Sequence, residues 1–75
     1  MKTCMIRLST IQDVRTLVDI VTSATTDVDL SSGRYVVDAK SIMGIFSLDL
    51  LKPIQLTAHA EDPVLFEKLK PFIVE

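Results

Sequence analysis

Seventy-five residues with 48% hydrophobic and 24% charged side chains suit one globular domain, near the lower size limit for folding without metal or disulfides, and exclude a disordered chain. A formal net charge of −2 gives no reason to expect nucleic acid or an anionic membrane as partner. The single cysteine, Cys4, cannot form an internal disulfide, and with one histidine, His59, it makes no zinc-ligand pattern, so no metal or cofactor is expected. Lys2, Arg7 and Asp13 interrupt any secretory-type apolar stretch, and no apolar run approaches the ~18–20 residues of a membrane span. A single domain over residues 1–75 in a reducing cytoplasm is the expectation.

The first segment alternates. Cys4, Ile6 and Leu8 share one face and Thr3, Met5 and Arg7 the other, which predicts a half-buried strand. Ser9 and Thr10 then supply helix-start chemistry, with Gln12 and Asp13 in capping-box positions. Ile11, Val14, Leu17, Val18 and Val21 follow at helical spacing, predicting an amphipathic helix over about residues 10–24. The polar run 22–26 ends it. Val28 and Leu30 alternate with Asp27 and Asp29 in a second strand, and Tyr35-Val36-Val37 reads as a third, joined by a short Gly33-containing turn.

After Asp38 comes a segment in which Ser41 stands at an N-cap position, followed by Ile42, Met43, Ile45, Phe46 and Leu48. These are too many apolar side chains for one buried stripe of a two-turn helix. Ile45 and Leu48 are expected inside, with Ile42, Met43 and Phe46 at least partly exposed. Further on, Ile54, Leu56, Ala58 and Ala60 alternate with Gln55, Thr57, His59 and Glu61 in a fourth strand. Asp62-Pro63 is a helix start, Leu65, Phe66 and Leu69 are its buried stripe, and Pro71 stops or kinks it. The tail Phe72-Ile73-Val74 is expected to pack back onto the domain. The order is β-α-β-β-α-β-α, an α+β fold in which an antiparallel four-stranded sheet is covered on one face by three helices.

The run from Lys40 to Leu48, Lys-Ser-Ile-Met-Gly followed by Ser-Leu, resembles the regulatory-serine segment of HPr, the histidine phosphocarrier of the bacterial phosphotransferase system. The resemblance implies an open-faced β-sandwich with the same element order. It also implies that Ser41 is the residue a dedicated serine kinase would phosphorylate, and that Ile42, Met43 and Phe46 form the docking surface. The family's Gly-x-His-Ala-Arg-Pro motif does not survive. Counted back without gaps from Asp27-Val28-Asp29-Leu30, its histidine, arginine and proline positions fall on Thr10, Gln12 and Asp13. That pattern is similar to the histidine-lacking catabolite-repression (Crh) branch. An extra residue between Gly33 and Ser41, and Asp49 where glycine is usual, are further departures.

Each candidate has a plainer reading beside it. Ser41 is a helix cap on chemistry alone and a phosphorylation switch on the resemblance, and the two are compatible. Ile42, Met43 and Phe46 are a docking patch or ordinary core. His59 is an unconventional phosphoryl acceptor or, more simply, a solvent-facing sheet residue. Cys4 reads as a small buried hydrophobe, and Asp27, Asp29 and Asp38 as a solvated acidic face, since their spacing matches no calcium loop. The leading expectation is a non-enzymatic regulatory protein. Its partners would be an HPr-type serine kinase, a transcriptional regulator or a phosphotransferase component. A phosphocarrier acting through His59 and a constitutive scaffold without a switch are the alternatives.

Overall fold

A computed structural model describes residues 1–74. Strands β1 (Lys2–Ile6), β2 (Val28–Ser32), β3 (Tyr35–Asp38) and β4 (Ile54–Ala58) alternate with helices α1 (Ile11–Ser23), α2 (Ile42–Phe46) and α3 (Pro63–Leu69), and a 3₁₀ turn, Lys70–Phe72, follows α3. The strands form one antiparallel sheet in the order β1-β4-β2-β3. Its register sets Cys4, Leu56, Leu30 and Val37 in one row, with Ile6 beside Ile54 and Ala58 beside Val28. Because side chains alternate across a strand, these rows share the face covered by the helices. Val14, Leu17 and Val21 of α1, Ile45 of α2, and Leu65, Phe66 and Leu69 of α3 complete the core. The opposite face carries the rows Thr3–Thr57–Asp29–Asp38 and Met5–Gln55–Ser31–Val36. The expected open-faced α+β sandwich is the observed architecture.

Local chemistry sets the turns. Gly33 takes φ +61° at the first central position of the two-residue loop Gly33-Arg34, the place where a type II′ hairpin turn needs a left-handed residue. Asp49 needs no such freedom. Its carboxylate accepts the Leu51 N–H at 3.1 Å, so a side-chain turn shapes the connection. Asp62 caps α3 by accepting the Leu65 N–H through Oδ1, while its Oδ2 accepts the Thr26 hydroxyl at 2.9 Å. Thr26 is thereby the buried polar residue that ties the α1–β2 connection to the start of α3. The Lys2 ammonium lies 4.6 Å from the centroid of the Phe66 ring, a cation–π contact between β1 and α3.

The tail packs back as expected. Ile73 faces Ile6, the Arg7 N–H donates to the Phe72 carbonyl and the Val74 N–H to the Met5 carbonyl, both at 2.9 Å. Pro71 ends the α-helical pattern at Leu69 and the chain passes into the 3₁₀ turn.

Four details differ from the sequence reading. Ile11, placed in the buried stripe of the first helix, is exposed at the first helical position, and the buried stripe begins one turn later at Val14. Ala60 is exposed because β4 ends at Ala58. His59 is therefore just past the strand and not within it. Cys4 is half-buried and not fully enclosed.

Candidate functional site

Thr10 is the N-cap of α1. Its hydroxyl accepts the Asp13 N–H at 3.0 Å, and the Asp13 carboxylate returns to accept the Thr10 N–H at 3.2 Å and the Ser9 N–H at 2.9 Å. This closed capping box satisfies donors that a helix start otherwise leaves free. It also places a carboxylate at the positive end of the helix dipole. The helix start therefore holds a side-chain anion of its own. Gln12 points away and donates to the Thr16 hydroxyl at 3.4 Å.

Beside this helix start lies an open groove lined by Arg7, Leu8, Thr10 and Ile11 on one side and by Phe46, Leu50 and Leu51 on the other. The walls are mostly apolar and Arg7 is the cation among them. Leu51 is 84% exposed. Met43 is 77% exposed, and it shares a helix face with Phe46 because three residues separate them. The structure thus brings the Thr10 region together with Phe46. It adds Ile11, Leu50 and Leu51, which the sequence reading did not single out. Only the i, i+3 spacing of Met43 and Phe46 was available locally. The approach of the α2–β4 connection to α1 depends on the tertiary fold.

Ser41 is the N-cap of the five-residue helix α2 and accepts the Gly44 N–H at 3.2 Å. Its residue is exposed. Gly44 allows this cap, since a Cβ there would stand 3.1 Å from Ser41 Oγ and 3.2 Å from Val37 Cβ. Ile42 is half-buried and Ile45 and Leu48 are buried, so the helix presents one face to the core and another to solvent.

His59 stands elsewhere. Ala58 pairs with Lys2 while Ile54 pairs with Ile6, so His59 and the start of α1 lie at opposite ends of the sheet. The five residues of β4 separate them by about 17 Å at ~3.3 Å per residue. His59 Nε2 lies 2.6 Å from Asp29 Oδ2, and the His59 backbone N–H donates to the Asp27 carbonyl at 2.9 Å. The sequence reading missed this pair because thirty residues separate its members and only the β2–β4 register joins them. Among the described residues, no three His, Cys, Asp or Glu side chains gather as a metal site. Burial pushes the Cys4 thiol above its ordinary pKa, and Lys2 offsets part of that rise, so Cys4 is not an activated nucleophile.

Among solved structures, the chain resembles HPr-C-His from Thermoanaerobacter tengcongensis, with a TM-score of 0.79, 22% sequence identity, and coverage of 95% of this chain and 89% of that one. The fold is therefore that of HPr. No protein-family model and no curated protein matches the chain. No helix among the described residues is long and apolar enough to cross a membrane.

Proposed function

We propose that this chain is a single-domain, HPr-like regulatory interaction protein, akin to the histidine-lacking Crh branch, which binds protein partners and relays no phosphoryl group. The observation that carries the reading is the closed capping box beside an exposed apolar groove. A phosphohistidine relay needs an acceptor imidazole and a cationic or N–H-rich cradle. Here the acceptor position is Thr10, whose phosphate would be a stable ester, and Asp13 repels an incoming anion. The groove suits docking. Ile11, Phe46 and Leu51 offer apolar anchors within it, exposed Met43 adds a further one on the same helix as Phe46, and Arg7 favours a partner with a carboxylate next to its apolar side chains.

Ser41 is the proposed point of control. Phosphorylation would add about −1.5 to −2 charges at the start of the helix that carries Met43 and Phe46. Partners that dock an uncharged patch are released, and partners presenting Arg or Lys are favoured. The partners proposed are an HPr-type serine kinase and a transcriptional regulator or phosphotransferase component, in the cytoplasm and without a cofactor. Incubation with enzyme I and phosphoenolpyruvate, followed by intact-mass analysis, tests the missing relay. No acid-labile phosphate is expected, and a labelled His59 would instead establish an unconventional phosphocarrier. Partner binding that Ser41→Asp leaves unchanged would favour a constitutive scaffold.

A further inference from the structure

The outer edge of β3 takes no part in the proposed function. β3 is an outer strand, and β1, the other outer strand, is partly covered by the tail. Tyr35 and Val36 are 68% and 65% exposed. The phase of the hairpin is set by its two-residue loop, which makes Ser32 and Tyr35 a hydrogen-bonded pair. The Ala39 N–H donating to the Val28 carbonyl at 2.9 Å agrees with that phase. Tyr35, Val37 and Ala39 thus turn their backbone groups to β2, and Val36 and Asp38 turn theirs outward, where the Asp38 carbonyl already accepts the Ser41 N–H at 2.9 Å and Val36 keeps both its groups for a partner. An edge of this kind is a template for another strand.

We propose that this edge is a self-association surface, on which a second copy of this chain pairs antiparallel about a two-fold axis at Val36. In that register the two Val36 residues exchange N–H···O=C bonds across the axis. Arg34 of each copy then stands opposite Asp38 of the other, and Tyr35 opposite Val37. Charge complementarity selects it. A slide of two residues one way sets Val36 against Asp38 and Arg34 against Lys40, and a slide the other way sets Val36 against Arg34. Only the Val36-centred register matches apolar with apolar and cation with anion.

Asp38 has reason to accept that cation. It lies beside Asp29 in the sheet register, and like charges across a strand pair repel. Its Oδ1 accepts the Lys40 N–H at 2.8 Å, which leaves its second oxygen for an arginine. Arg34 has no ion-pair partner among the described residues. β3 has four residues, so the pairing is weak and concentration-dependent.

Analytical ultracentrifugation and amide NMR of the full chain, from micromolar to millimolar concentration, test the proposal. The expected result is self-association with the Val36 amide shifting as the dimer fills. Arg34→Asp should weaken it about tenfold or more, since it opposes two carboxylates at both ends of the pairing. The charge exchange Arg34→Asp with Asp38→Arg should restore it. Val36→Pro should abolish it while the monomer keeps its circular dichroism spectrum, because an edge strand tolerates proline where the N–H faces out. A monomer at every concentration overturns the proposal. So does association that neither Arg34→Asp nor Val36→Pro affects, which would move the interface to another surface such as the Met43 and Leu51 face.

Discussion

Replacing Asp13 by alanine removes the acceptor of two backbone N–H groups, at 2.9 and 3.2 Å, and the anion at the start of α1. Loss of a helix cap costs about 0.5–2 kcal/mol, and loss of a carboxylate from the first turn about 0.3–1 kcal/mol. Alanine returns about 0.5 kcal/mol through its better helix propensity. The net destabilisation is about 1 kcal/mol. In a domain of this size that lowers the melting temperature by about 4–8 °C, well within the reach of thermal unfolding followed by circular dichroism. Asp13→Asn separates the two contributions, because asparagine keeps an acceptor oxygen and loses the charge. It should fall between wild type and alanine, and the gap between the two variants should survive high salt while the gap to wild type narrows. Wild-type amides of Thr10 to Asp13 should stay unmoved in a titration with inorganic phosphate. An Asp13→Ala variant as stable as wild type, or a wild-type helix start that binds phosphate, would refute the view that Asp13 closes this site.

Other substitutions probe the remaining parts. Ser41→Ala should cost about 0.5–2 kcal/mol through the lost cap, whereas Ser41→Asp keeps a capping oxygen and should leave urea stability nearly unchanged, which makes it a clean probe of charge on partner binding. Leu51→Ser should alter stability by no more than about 0.5 kcal/mol, since the side chain is exposed, and should still weaken partner capture in a calorimetric titration. Thr26→Val deletes the hydroxyl that Asp62 accepts and should cost about 1–2 kcal/mol, with amide exchange rising first at the start of α3. Leu56→Ala, at the centre of the core rows, should cost about 2–5 kcal/mol, enough to leave a large unfolded fraction at room temperature in a domain this small.

Much of the fold was legible because its elements are strongly periodic. The alternation at Val28 and Leu30, the helical spacing at Val14, Leu17 and Val21, and the cap residues Thr10, Ser41 and Asp62 each reflect a local rule that tertiary packing did not overrule. Where a period ends is less visible, which is why Ile11 and Ala60 read as members of buried stripes whose outermost buried residues are Val14 and Ala58. The groove and the His59–Asp29 pair were not legible. Both depend on the order β1-β4-β2-β3, which sets β4 between strands distant in sequence, and no spacing in the chain encodes that neighbour relation. The chemistry at Asp49 was not legible either. Its carboxylate closes a side-chain turn by accepting the Leu51 N–H.

The central claim is that control is exerted at Ser41 and not at a phosphohistidine. Its most direct test is the intact mass of the protein after incubation with ATP and an HPr-type serine kinase, with Ser41→Ala as control. One added phosphate that the alanine variant lacks is the expected result. An unchanged mass on folded protein, or a phosphate that persists in the Ser41→Ala variant, would contradict the account.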